Sequence, residues 1–181
     1  IPAAVGIFPV PLAFRATCYY YRKAYYLSFF WDPPACSVGE LRHRHYKGET
    51  RFPLILNNLH RFAMYAATIV LAFLWVDVAL AVTYNGHWYL GLGTVIMLIN
   101  VVLLSGYSFS CHSVRHLVGG GLDCFSKARF GRARFSIWRW ITTMNERHPM
   151  YAWLSLFSVV ITDIYIRLLM THVFIDPHIT F

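Results

Sequence analysis

The 181 residues are 57% hydrophobic, 18% aromatic and only 13% charged, about half the charged share of a soluble domain. This composition excludes a disordered tail and argues against an ordinary cytosolic domain. Lys and Arg number 16 against eight Asp and Glu, a net charge of +8. In a soluble protein that excess would point to nucleic acid; in a membrane chain it reports orientation, so its placement decides between the two.

The opening IPAAVGIFPVPLAF is apolar but short, and three prolines make a continuous span improbable. It reads as the frayed end of something longer, and the lack of an initiator Met leads us to expect upstream sequence. Residues 1–52 form a cytoplasmic or interfacial segment with Cys18 and Cys36. Three apolar stretches then follow. From Phe52 to Val82 only Arg61 and Asp77 carry charge, and Asn58–Val82 exceeds the ~30 Å hydrocarbon thickness at about 1.5 Å per residue. Trp88–Val114 is uncharged apart from His112. Met150–Phe174 is apolar except for Asp163 and Arg167, and His148-Pro149 precedes it with Pro suited to a first helical turn. The expected fold is all-α, an integral membrane bundle with at least three transmembrane helices at about 53–82, 88–117 and 149–174. A basic loop spans 118–148, and 177–181 is a short outer tail.

Fifteen of the 16 basic residues precede or open the first span or fill the connection between the second and third. The positive-inside rule therefore places residues 15–58 and 115–148 in the cytoplasm, and the chain in the plasma membrane. The nucleic-acid reading loses its support, and anionic lipid becomes the natural neighbour of the basic loop.

This topology gathers candidate ligands. Going outward on the first span and back on the second brings His60 to the depth of Cys111, His112 and His116, with His148 opening the third span on the same side. Cys18 and Cys36 lie in the segment that leads to His60. His112 and His116 share one helix face, where two imidazoles can bind one metal ion. The same pair also suits a helix end meeting the interface, and a lone Cys is most often an inert buried hydrophobe; convergence is what favours redox or metal chemistry. Cys124 reads as a non-ligand, and His43 and His45 as solvated loop residues.

The strings RATCYYYRKAYY, GETRFPLILNNLHRF and CHSVRHLVGG resemble the membrane subunit of the haem-free bacterial succinate dehydrogenases, a divergent class of respiratory complex II called type F. The resemblance runs from about Phe14 to the third span. It implies a partnership with flavoprotein and iron-sulfur subunits that pass electrons from succinate to quinone. It also implies a Rieske-type 2Fe-2S cluster in the membrane subunit, with two Cys on one iron and two His on the other. On that basis Cys18 and Cys36 are assigned to one iron and His112 and His116 to the other. Cys111 is a substitute thiolate, His60 a substitute imidazole and His148 an outsider. CHSVRH departs from the paired C-x-H and C-x-x-H loops of soluble Rieske proteins, so the ligands are less specific than the cofactor class.

A quinone site needs an apolar slot with donors for the carbonyl oxygens. Tyr19, Tyr20 and Arg22 beside Cys18, with Arg61 and Arg115 beside the histidines, are the candidates, although such residues also make an ordinary aromatic belt and basic edge. Deeper in the spans, Asp77, Asp163 and Arg167 are expected to meet as a structural ion-pair bolt, because a lone charge in lipid costs ~2.5 kcal/mol or more. Two rival readings remain. A di-histidine haem b anchor would use His60 with a second histidine but leaves the cysteines without a role. A non-redox transporter or scaffold would use the three intramembrane charges. No base for succinate oxidation is present, so that chemistry belongs to another subunit.

Overall fold

The computed structural model of the chain describes residues 8–18, 20–21, 55–84, 87–119 and 125–180. Two units divide the chain, Ile1–Ala67 and Thr68–Phe181. Six α-helices and three short strands are present among the described residues.

In the first unit, α1 (Pro9–Thr17) turns the opening prolines to use. Pro stands at its N-terminal positions, where the absent N–H would have had no helical partner, and the helix stops at Cys18 with an extended backbone. The long helix α2 (Ile55–Val82) begins in this unit. Its stretch Leu59–Val82 has a mean hydropathy of 2.1 and enough length to cross a membrane, as do Leu92–Phe109 and His148–Met170 further on.

The second unit departs from the sequence expectation at three places. The apolar run that begins at Trp88 does not start as a helix. Strand β1 (Thr83–Tyr84) pairs with β2 (His87–Gly91), setting Thr83 opposite Trp88. Strand β3 (His178–Thr180) adds to the other edge of β2, giving the order β1-β2-β3. Aromatic residues followed by Gly91 favour a strand that ends where α3 (Leu92–Phe109) begins. Second, the helix does not run on to 117. It breaks at Ser110 and Cys111, and α4 (His112–Gly119) starts afresh, with the Cys111 carbonyl accepting from the Val114 and Arg115 amides. Third, the basic loop contains a full helix, α5 (Gly131–Glu146), separated from α6 (His148–Met170) by Arg147 alone.

Packing in this unit is apolar between α2 and α3 and small-and-polar between α3 and α6. Leu71, Val78 and Val101 form a buried core with Leu74, Met97 and Leu104 around it, and the Trp75 indole N–H donates to Ser105 Oγ at 3.0 Å. Across α3 and α6, Ala152 and Ser155 are fully buried, and the Ser158 hydroxyl donates to Asn100 Oδ1 at 2.8 Å. Gly106 lets the two backbones approach, since a Cβ there would lie 2.6 Å from Cδ1 of Tyr151. Small residues with hydrogen bonds between helices are the means by which apolar helices associate where lipid removes the hydrophobic drive.

Asp176, which nothing in the sequence pattern singled out, ties the tail to this bundle. Its Oδ1 accepts from the Gly93 amide at 3.0 Å and from the Tyr165 hydroxyl, while the Pro177 carbonyl accepts from the Leu92 amide at 2.9 Å. Gly91 offers α3 no side-chain cap, so a carboxylate from the far end of the chain takes that role beside the positive end of the helix dipole. Asp176→Ala is expected to destabilise the folded protein by about 1–2 kcal/mol. Thermal unfolding in detergent should show the loss, with Asp176→Asn recovering part of it through its remaining amide oxygen.

Candidate functional site

The break after α3 builds the richest cluster of chemical groups. Ser110, fully buried, donates its hydroxyl proton to the Tyr107 carbonyl at 3.2 Å, and its Oγ also meets Nδ1 of His148 at 2.8 Å. His148 is thus held through Nδ1 by the hydroxyl that closes α3. Its ring is buried and stacks on Tyr107 with centroids 5.0 Å apart. The Asn145 side-chain amide donates to the Ser110 carbonyl at 2.7 Å, so α3, α5 and α6 are all fastened at this one serine. Cys111 is buried beside it.

His112 and His116 extend from the first turns of α4 and meet each other. Their Nε2 atoms are 2.9 Å apart, and the rings are edge to face at 4.5 Å. One Nε2 carries the shared proton and the other accepts it. Burial holds His112 below the usual histidine range, followed by the neighbouring charges of His116 and Arg115, so the ring is neutral at pH 7. The unfolded chain therefore takes up this proton before the folded one, and stability is expected to fall as pH drops below about 6.5. Melting temperatures measured from pH 7 to 5 should show that slope, and His112→Gln should lessen it.

Arg115 is occupied elsewhere than at a ligand. Its Nε donates to Thr142 Oγ1 at 3.1 Å, and its guanidinium lies 4.7 Å from the Trp138 ring centroid, which joins α4 to α5. The sequence singled out neither Thr142 nor Trp138, and it set His148 aside; Ser110, the residue that prepares His148, gave no sequence signal.

The first unit holds a second prepared histidine. His60 is buried, lies parallel to Phe14 at 4.8 Å, and meets Thr17 Oγ1 through Nδ1 at 3.0 Å. The Thr17 hydroxyl donates to the Ala13 carbonyl at 2.7 Å. His60 is likewise held through Nδ1 by a hydroxyl. Cys18 follows Thr17 and is buried. Arg15 donates to the Tyr21 hydroxyl, and Tyr20 packs edge-on against Tyr21. Arg61 is exposed on α2. Tyr19, Arg22 and Cys36 lie outside the described residues, as do Cys124, His43 and His45.

Of the three intramembrane charges, the structure brings two together. Arg167 Nε donates to Asp163 Oδ2 at 2.8 Å on the exposed side of α6, while Asp77, exposed on α2, makes no ion pair among the described residues. An apolar cavity of about 370 Å³ lies among Leu80, Thr94, Met97, Thr162 and Tyr165. It sits at the opposite end of α3 from the His112–His116 pair, about 24 Å away along the helix.

Two imidazole nitrogens 2.9 Å apart are near the spacing of adjacent donors on one metal ion, about 3.0–3.4 Å for metal–nitrogen bonds of about 2.1 Å at about 90–109°. That is half of the donor set a Rieske-type cluster requires. Among the described residues no group of three or more His, Cys, Asp or Glu side chains is gathered for a metal.

Comparison with known proteins gives the family of the chain. The family model of the actinobacterial succinate dehydrogenase subunit SdhC matches residues 1–172. A chain in the structure of the Mycobacterium smegmatis Sdh1 complex in the apo form is 46% identical, with a TM-score of 0.78 over 94% of this chain and 63% of that one. The present chain thus spans less than two thirds of that relative's length. No curated protein matches. With three helices able to cross a membrane and a family match along nearly all its length, the chain belongs to the actinobacterial succinate dehydrogenase subunit SdhC family.

Proposed function

We propose that this chain is the membrane anchor of a succinate:quinone oxidoreductase, and that it passes electrons to quinone through a Rieske-type 2Fe-2S cluster. The observation that carries this reading is the Nε2-to-Nε2 contact of His112 and His116 just beyond the end of a membrane span. On this reading His112 and His116 hold one iron. The thiolates come from Cys18 and Cys36 by sequence, with Cys111 as the substitute, and His60 is the substitute imidazole. Such a cluster supplies a one-electron relay between the soluble subunits and quinone.

The chain's own residues keep the imidazole pair neutral and position it. Burial around His112 disfavours its protonation, leaving a lone pair for a metal at neutral pH. Arg115, bound to Thr142 and Trp138, fixes the helix that carries both rings. Tyr19, Tyr20, Arg22, Arg61 and Arg115 remain the proposed quinone contacts. The basic residues of 15–58 and 115–148 face the cytoplasm, where the flavoprotein and iron-sulfur subunits dock, and Asp163 and Arg167 act as a structural pair.

One observation favours a second cofactor. His60 and His148 are both buried and each is held through Nδ1 by a hydroxyl, the kind of support that orients a ligating histidine. Haem b is therefore the alternative. Iron and acid-labile sulfide analysis of the purified complex, with a reduced visible spectrum and identification of co-purifying subunits, separates the readings. Two irons and two sulfides beyond those carried by the iron-sulfur subunit, with no haem bands, are expected. Sharp reduced-haem bands without that excess would replace the cluster with haem, and neither the excess nor haem bands would favour a non-redox scaffold.

A further inference from the structure

Helix α5 has two unlike sides. One is spent inside the protein: Arg134 donates through Nε and a terminal nitrogen to the Val118 carbonyl at 2.9 and 2.7 Å, Ile141 is buried, and Asn145 and Thr142 bond to Ser110 and Arg115. Gly119 meets this side so closely that a Cβ there would lie 2.5 Å from Trp138. At 100° per residue the remaining side is centred on Arg132, Ser136, Arg139 and Thr143, with Phe135 on one flank and Trp140 on the other. All six are exposed; Trp140 is 57% accessible and Phe130, just before the helix, 72%.

This exposed face combines features that belong at the headgroup layer of a bilayer. A concavity of about 400 Å³ is lined by Phe135, Ser136, Arg139, Trp140 and Thr143, so cationic, hydroxyl and indole groups border one space between aromatic walls. The Arg139 guanidinium lies 5.9 Å from the Phe135 centroid. No acidic residue occurs between Lys127 and Asn145, whereas Lys127, Arg129, Arg132, Arg134 and Arg139 do. Arg147 alone separates α5 from the membrane helix α6, which keeps this face near the level where that span begins. Bulky aromatic residues beside arginines are stable where apolar rings meet acyl chains and cations meet phosphates.

We propose that the exposed face of α5 is a binding surface for the phosphate headgroups of anionic phospholipids, with Arg132 and Arg139 as the cations and Phe135 and Trp140 as the flanking anchors. The exposed aromatic flanks and the short tether to α6 favour lipid over a soluble acidic partner. An anionic bilayer holds each nearby arginine about fivefold more tightly than a neutral one does.

Trp140 supplies the probe. The full chain with its co-purifying subunits is placed in nanodiscs of phosphatidylcholine containing a fixed fraction of brominated phosphatidylglycerol or brominated phosphatidylcholine, and tryptophan fluorescence is recorded. Quenching by the brominated phosphatidylglycerol should be at least twofold greater. Trp140→Phe should remove that excess, and Arg132→Gln with Arg139→Gln should raise the phosphatidylglycerol fraction needed for half-quenching more than tenfold at unchanged melting temperature. Equal quenching by the two lipids, or an excess that survives the double arginine change, overturns the proposal. So does full competition by inorganic phosphate, which would mark a free-anion site. Quenching seen only after the soluble subunits are stripped away would assign the face to a protein partner and overturn it as well.

Discussion

His112→Ala combined with His116→Ala is expected to abolish quinone reduction and erase the EPR signal of the proposed cluster, while succinate oxidation with a soluble dye acceptor continues in the assembled enzyme. Both residues lie outside the three apolar spans, so their removal leaves the bundle intact and isolates the redox role. Each single change should lose nearly as much as the pair, because an iron held by two imidazoles is not held by one, and groups that act as a unit are strongly non-additive. Retention of both signal and quinone reduction in the double variant would refute the assignment. Loss of dye reduction as well would trace the effect to failed assembly instead, and comparing subunit stoichiometry in the purified variant tells these outcomes apart.

The second large effect concerns the bundle. Gly106→Ala introduces a Cβ 2.6 Å from Cδ1 and 2.7 Å from Cε1 of Tyr151. These atoms belong to the body of a ring packed between two membrane helices, so relief requires α3 and α6 to separate or the ring to leave. Overpacking of this kind costs about 1–3 kcal/mol. The added strain falls one residue before Tyr107, whose ring stacks on His148, and the Ser110–His148 contact should loosen with it. The expected result is a lower melting temperature for Gly106→Ala and restoration when Tyr151→Ala is added. A double variant as unstable as the single one would show that the clash is not the cause.

Hydropathy made the three spans readable, because a membrane helix must be apolar over a length set by the bilayer, and few soluble sequences imitate that. The interruptions were not readable for the same reason. Trp88–Val114 is equally apolar in strand, helix and turn, so nothing in its composition reports that His87–Gly91 pairs with two other strands or that the chain turns at Ser110 and Cys111. Helix α5 was missed for a different cause. Its arginines were counted as topology markers, while the stripe Arg134, Trp138, Ile141, Thr142, Asn145, at helical spacing, went unused. Within the site, the four-residue spacing of His112 and His116 announced their contact, and that of Asp163 and Arg167 announced theirs. The hydroxyls that prepare His60 and His148 come from residues far away in the chain, Thr17 and Ser110. Contacts of that range depend on how helices pack, which local spacing does not encode.

The junction at Arg147 leaves α5 and α6 without slack. A flexible tether would absorb any displacement of the surface helix. Here a tilt of α5, pushed by a docking protein or by a change in the lipid layer, reaches His148 within one residue and Ser110 through Asn145. With one residue between the helices, any such tilt must be taken up at the buried imidazole itself.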